Sequence, residues 1–369
     1  MKNLFFLLLA CVLLTQFSCK PDNDCETCGC PTCDDFDKSA LLTNYADSLI
    51  IPSYKVFLTT VSSLKTSYNS FTNSPSESTL EELRSTFKTS YHAYQTITPF
   101  DFGPAFGSYA MEGLNLFPTN ADVIEENAKA TSFDLNNGNN VDAIGYPALD
   151  YLFYSNTVND TIISLFSTDN FSQNRIDYGT ALIAQIEGRA NYIYNTWTNS
   201  YRATFIASTG SDPSSSISLL VNKYNESYEE AKNFKVGIPS GRKSVLGSQF
   251  TEKVEGLYSS TSLLLLTKQL EVLENVYTGT NADGQNGTGL EDMLIAYQNA
   301  ELDTKIKDKF TAATAQLELI ETSIEAEIKS GSDDVGVLYD ILQANVVNIK
   351  SDMPSILSVA ITYQDGDGD

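Results

Sequence analysis

A single histidine, His92, limits the chemistry open to this chain of 369 residues more than any other residue. A zinc-protease helix needs two histidines, and most hydrolytic zinc sites also draw on at least two. A serine triad would have to recruit His92, which sits in a tyrosine-rich amphipathic stretch, and the chain has no nucleophile elbow. A Gly-x-x-x-x-Gly-Lys-Ser/Thr phosphate loop is absent as well. What remains is oxygen chemistry. Asp150 has Tyr146 and Tyr151 beside it, and Glu112, Glu252, Glu255 and Asp352 add further carboxylates. Carboxylates with phenols suit hard cations such as ferric iron or calcium. Plainer roles compete: Asp150 capping a helix or pairing with Lys350 or Arg242, and Lys350 pairing with Asp352. The ending Asp365-Gly366-Asp367-Gly368-Asp369 opens like a calcium loop but lacks its closing glutamate, so it reads as a solvated terminus.

All six cysteines precede residue 34. Cys25, Cys28, Cys30 and Cys33 follow the spacing C-x2-C-x-C-x2-C, which could present four thiolates to one soft metal ion. Structural zinc sites usually separate their ligand pairs by a longer loop, so two disulfides in an oxidising compartment are the plainer reading. Asp34 after Cys33 does not fit haem attachment. The leader reads as an export signal, with Lys2, an apolar run from Leu4 to Leu14, and then Ser18-Cys19. That run falls short of the roughly 20 residues a spanning helix needs. A small residue before cysteine at its end predicts lipoprotein processing, with Cys19 acylated, although Gln16 stands where such signals usually carry leucine. The protein is then expected in a bacterial cell envelope, lipid-anchored to the outer membrane and facing the periplasm or the cell surface. Removing the first 18 of 369 residues leaves 351, and losing Lys2 takes the formal charge from −24 to −25. A field of that sign disfavours nucleic acid as a partner and favours cations, besides keeping the chain soluble.

The elements that must position these residues are helical. Apolar residues step by three and four along Tyr45 to Phe71, Leu80 to Tyr94, Ile176 to Tyr201, Leu257 to Tyr277 and Phe310 to Ile328. Ser74-Pro75, Asn136 to Asn140, Ser208 to Ser216 and Thr278 to Gly289 are breaks. Only Ile356 to Tyr363 suggests extended chain. The pattern predicts an all-α protein of two packed helical-bundle halves, residues 36–207 and 217–369, after a signal peptide (1–18) and a cysteine-rich tether (19–35).

The most unusual local sequence runs from Asp142 to Tyr154, where Gly145-Tyr146-Pro147 enters an apolar and aromatic helix with Asp150 expected in its first turn. Proline near a helix start and an early acid both suit a well-made N-terminus. The stretch Gly145-Tyr146-Pro147-Ala148-Leu149-Asp150-Tyr151-Leu152 also resembles the imelysin family signature, Gly-x-His-x-x-Glu followed by Tyr-Leu-Leu. Other segments agree in order, among them Ile51-Pro52-Ser53-Tyr54, Asp101-Phe102-Gly103-Pro104, Lys235-Val236-Gly237-Ile238-Pro239, Glu252 to Tyr258 and Lys350 to Ser355. The resemblance implies two bundle-like helical halves with a candidate site where they meet, and an association with iron acquisition in the envelope. It places the ligand site at Gly145, Tyr146, Pro147 and Asp150; Glu112, Glu252, Glu255, Lys350 and Asp352 are supporting candidates chosen for their charge. The older peptidase label of the family treats its motif as a metal site. Here Pro147 replaces the histidine and Asp150 the glutamate, so a histidine-ligated metal is not available at this motif.

Three functions fit these observations. The first is a non-catalytic lipoprotein that binds iron, another hard cation or an iron carrier between the halves. The second is a hydrolase built on two carboxylates, one with its pKa raised by burial. The third is an interaction module whose tyrosine-rich surface recognises another envelope protein.

Overall fold

The computed structural model describes residues 36–107, 111 and 113–363. The signal segment, Cys19, the tether with Cys25, Cys28, Cys30 and Cys33, Glu112 and the Asp365 to Asp369 tail lie outside them. Residues from Asp37 onward form one compact unit, and its described elements are helices joined by turns. The one β-type contact among the described residues is an isolated bridge, Thr280 to Asn286. No helix among them is long and apolar enough to cross a membrane.

Asp37 caps α1 (Lys38–Asn44) by accepting the Ala40 N–H at 2.9 Å. The helix continues through a wide turn, Tyr45–Ile50, into α2 (Ile51–Asn73). Proline explains the widening. Pro52 has no N–H to close the regular ladder, and Ile51 bonds instead to Ala46 O, five residues back. The same device recurs twice. Ala231–Gly237 precedes Pro239, with Ile238 N–H on Asn233 O, and Val347–Asp352 precedes Pro354, with Met353 N–H on Asn348 O.

Ser74-Pro75 breaks the chain as expected, and Ser76 starts α3 (Glu77–Tyr94) with a reciprocal cap to Thr79. α2 packs on α3 and on the long α6 (Ser172–Thr196), which also carries α4 (Ala121–Lys129) and α5 (Gly145–Tyr154). Later in the chain come α7 (Ser216–Glu230), α8 (Ser262–Thr278), α9 (Ala300–Leu317), α10 (Ile324–Ser330) and α11 (Asp334–Val346). α11 packs on α9 and on the wide turn after α7. The two groups meet at Gln95–Phe100, a tight turn ending α3, against which both α7 and α8 pack.

Four expectations need correction. The Phe310 to Ile328 stripe is two helices. Leu319 and Ile320 bond back three residues, to Gln316 and Leu317, which closes α9, although Ile320 and Ile324 both stay buried. Leu257 lies in a turn before α8. Asp150 falls in the second turn of α5, because that helix already begins at Gly145. Ile356 to Tyr363 forms no strand: Ile356 ends a short helix, Leu357 and Ser358 turn, and the irregular chain beyond is clamped by the Asn222 side chain, which donates to Ala360 O (2.9 Å) and accepts from Thr362 N (2.7 Å). The tyrosines, too, are mainly interior: Tyr45, Tyr54, Tyr68, Tyr91, Tyr146, Tyr178, Tyr224, Tyr228 and Tyr277 are all fully buried. They supply core contacts rather than a docking surface.

Candidate functional site

The motif enters its helix through a backbone turn that only glycine adopts easily. Gly145 has φ +72°, and a Cβ there would fall on the carbonyl oxygen of Leu114. That carbonyl accepts the Tyr146 N–H at 2.8 Å, tying the start of α5 to the 113–119 segment. Tyr146 is buried, stacked on Tyr91 at 4.7 Å, with its hydroxyl 2.6 Å from Ser90 Oγ. One turn on, Asp150 is 1 % exposed, and its two oxygens accept the Tyr258 and Ser259 N–H groups at 2.9 and 3.1 Å. The carboxylate therefore caps a turn 108 residues away in the chain, rather than its own helix. Arg242, one suggested partner, instead meets Asp333 and Asp340.

Burial pushes the Asp150 carboxyl up to about 7, against hydrogen bonds from Ser259 and Tyr258 and the field of Lys88, which hold it down. The unfolded group ionises near 3.8. Between these values the folded chain holds a proton that the unfolded chain has lost, so this contribution to stability is full at low pH and falls as pH rises through about 7. Urea unfolding of wild type and Asp150→Asn is expected to differ by an amount that declines from about pH 4 to about pH 7, by on the order of a few kcal/mol. A difference independent of pH would show that Asp150 is ionised throughout.

Glu255 is the second buried acid, 1 % exposed. Its Oε2 lies 2.6 Å from Lys235 Nζ, and Oε1 accepts from Gln95 Nε2 (2.9 Å) and Asn115 Nδ2 (2.6 Å). Lys235 Nζ donates to Gln95 Oε1 at 2.8 Å, and Tyr91 donates to Asn115 Oδ1 at 2.6 Å. A continuous polar network thus runs from the tyrosine stack to the wide turn before Pro239.

Beside this network a cavity of about 210 Å³ is lined by Pro147, Asp150, Glu252, Tyr258 and Thr119 among others. Of the expected site residues, Pro147, Asp150 and Glu252 line this cavity; Gly145 and Tyr146 start the same helix, and Glu255 belongs to the polar network. Lys350 and Asp352 do not line this cavity; Lys350 Nζ lies 5.7 Å over the Tyr363 ring, and Asp352 is exposed. His92 does not line it either. It is part-buried on α3, with its pKa lowered by burial and by Lys268. Among the described residues no three of His, Cys, Asp and Glu gather in a metal-binding group. Reading the sequence missed Gln95, Asn115, Tyr91 and Lys235 as partners. Lys235 carries the one available signal, a lysine just before a Gly-Ile-Pro helix interruption.

The model of the Imelysin family matches residues 50–352. This chain belongs to the imelysin family. No curated protein matches it. Two crystal structures share the fold of this imelysin-family chain. One is of a candidate iron-regulated protein A precursor from Parabacteroides distasonis, 17 % identical with TM-score 0.70, covering 87 % of this chain and 94 % of that one. The other is of an imelysin-like protein from Psychrobacter arcticum, 18 % identical with TM-score 0.68, covering 89 % and 97 %.

Proposed function

We propose that this imelysin-family protein is a non-catalytic, lipid-anchored component of the bacterial envelope that binds iron in chelated form in the Asp150–Glu252 cavity. The observation that carries this reading is the placement of two carboxylates in one cavity at the family motif, where Pro147 offers neither a ligand nor a proton. A bare hard cation takes about six oxygen ligands. Asp150 and Glu252 supply fewer, and Asp150 already accepts two N–H groups, so a carrier that brings most of the coordination shell fits better. The iron-regulated description of the Parabacteroides relative supports the choice of metal. The Ser18-Cys19 leader supports the anchor.

The test is calorimetric titration of the full-length protein with ferric citrate, ferrous iron, calcium and zinc, using Glu252→Gln as the variant. Glu252 is exposed, so its replacement spares the fold. Ferric citrate is expected to bind, and Glu252→Gln to weaken it about tenfold with unchanged thermal stability. Absence of binding, or equal binding by the variant, would sink the proposal.

One observation favours a hydrolase instead: a carboxyl raised to about 7 shares a cavity with a second carboxyl, the pairing that general acid–base chemistry uses. Hydrolysis of peptide or glycoside substrates with an inflection near pH 7, lost in Asp150→Asn, would establish that reading.

A further inference from the structure

A second cavity, of about 180 Å³, is lined by Tyr94, Thr98, Asp101, Asn115, Lys223 and Glu230 among others. Asn115 stands between it and the network described above, since it also donates to Glu255. Tyr94 is 7 % exposed, its ring held edge-on by Phe57 at 5.9 Å and tilted against Tyr146 at 5.5 Å. Its hydroxyl nonetheless has no hydrogen-bond partner among the described residues. Burial pushes that hydroxyl's pKa up, and the charges of Glu230 and Asp101 push it further, so the phenol lies within electrostatic reach of both acids. Glu230 likewise has no hydrogen-bond or ion-pair partner among the described residues. Burial raises its carboxyl to about 7, opposed by Lys223 and Lys235 and assisted by Glu226 and Asp101. Both groups face the cavity, where a ligand or water completes their hydrogen bonding.

We propose that this cavity binds the ammonium group of a small organic amine, with Glu230, Asp101 and the Tyr94 hydroxyl as its acceptors. An ammonium has three N–H donors to match three acceptors. A hard metal ion would need more oxygens than two carboxylates and a phenol provide. The walls at Met111 and Leu116 are apolar, as the stem of an organic amine requires. Lys223 shows that the surroundings favour a cation. Although burial alone would lower its pKa, Asp101, Glu226 and Glu230 raise it, and its Nζ lies 3.1 Å from Asp101 and 3.0 Å from Glu226. Asp101, Glu226 and Glu230 around Lys223 leave an excess of negative charge for the ligand to balance, because the nearby Lys235 is already paired with Glu255.

The proposal is independent of the Asp150 cavity and is tested by calorimetry on the full-length protein at pH 8 with n-butylammonium chloride, n-butanol and calcium chloride. Butylammonium is expected to bind one to one, with n-butanol about tenfold weaker or worse. Glu230→Gln should weaken butylammonium about tenfold while unfolding at or above the wild-type temperature, because a neutral amide escapes the burial cost of a carboxylate. Tyr94→Phe should weaken it several-fold with little change in stability. Equal affinity for butanol and butylammonium, no binding at millimolar concentration, or affinity unchanged in both variants would overturn the assignment. Calcium binding that Glu230→Gln abolishes would also overturn it, making the cavity a metal site.

Discussion

Lys235→Met is expected to destabilise the protein by about 3–5 kcal/mol, a large part of the total stability of an ordinary domain. The cost comes from what the lysine leaves behind. Glu255, 1 % exposed, would keep only the amide donors of Gln95 and Asn115, and Gln95 Oε1 would lose the donor it accepts from. An uncompensated buried carboxylate is the costly remnant of a broken interior ion pair. Adding Glu255→Gln to Lys235→Met should recover much of the loss, because a neutral amide oxygen still accepts from Gln95 and Asn115 and its NH2 can turn to Gln95 Oε1. Urea unfolding of the two single variants and the double variant completes the cycle. A Lys235→Met midpoint within about 1 kcal/mol of wild type would mean that the pair is weakly coupled and that water reaches it.

The second large effect is a change of sign between two identical substitutions. Gly145→Ala places a methyl against the Leu114 carbonyl in a left-handed backbone conformation, and the carbonyl cannot retreat without losing the Tyr146 N–H. Left-handed strain alone costs about 1–3 kcal/mol in a side-chain-bearing residue, and the overlap adds to it. The expected loss is about 3 kcal/mol or more, with the start of α5 and hence Pro147 and Asp150 displaced. Gly188→Ala, inside α6 with open space where its Cβ would point, should instead stabilise by about 0.5–1 kcal/mol. Thermal unfolding of both variants reads the contrast directly. Equal effects would show that the turn at Gly145 relaxes at no cost.

The origin of these effects divides what was legible in the residues from what was not. The helices were legible because burial along a helix is a local matter. Apolar residues every three or four positions in Tyr45 to Phe71, Leu80 to Tyr94 and Ile176 to Tyr201 each describe one stripe, and each stripe is buried along most of its length, with Ile176 and Tyr201 half-buried at the ends of the third. Periodicity did not reveal the interruption between Leu317 and Ile324, because the residues on either side keep burying the same positions. The family was legible from the Gly145 to Leu152 segment and the others that follow in order. One histidine and Pro147 were enough to remove histidine-ligated chemistry from the motif.

The roles of the acids were decided by tertiary packing. Asp150 reads as a cap for its own helix or a partner for Arg242, yet it holds the Tyr258 and Ser259 amides. Glu255 is separated by 160 residues from Gln95 and by 140 from Asn115. Nothing local announces such pairs, since any surface acid could replace these in composition or spacing. Packing between distant segments buries them, at Gln95–Phe100 and where the Tyr258–Ser259 turn meets α5, and burial is what turns Asp150 and Glu230 into groups that titrate near neutrality. The sequence determined which segments fold as helices and which chemistry is missing. The tertiary structure decided which charges lost their water and which found a partner, because desolvation and pairing depend on distances between segments that the local pattern does not encode.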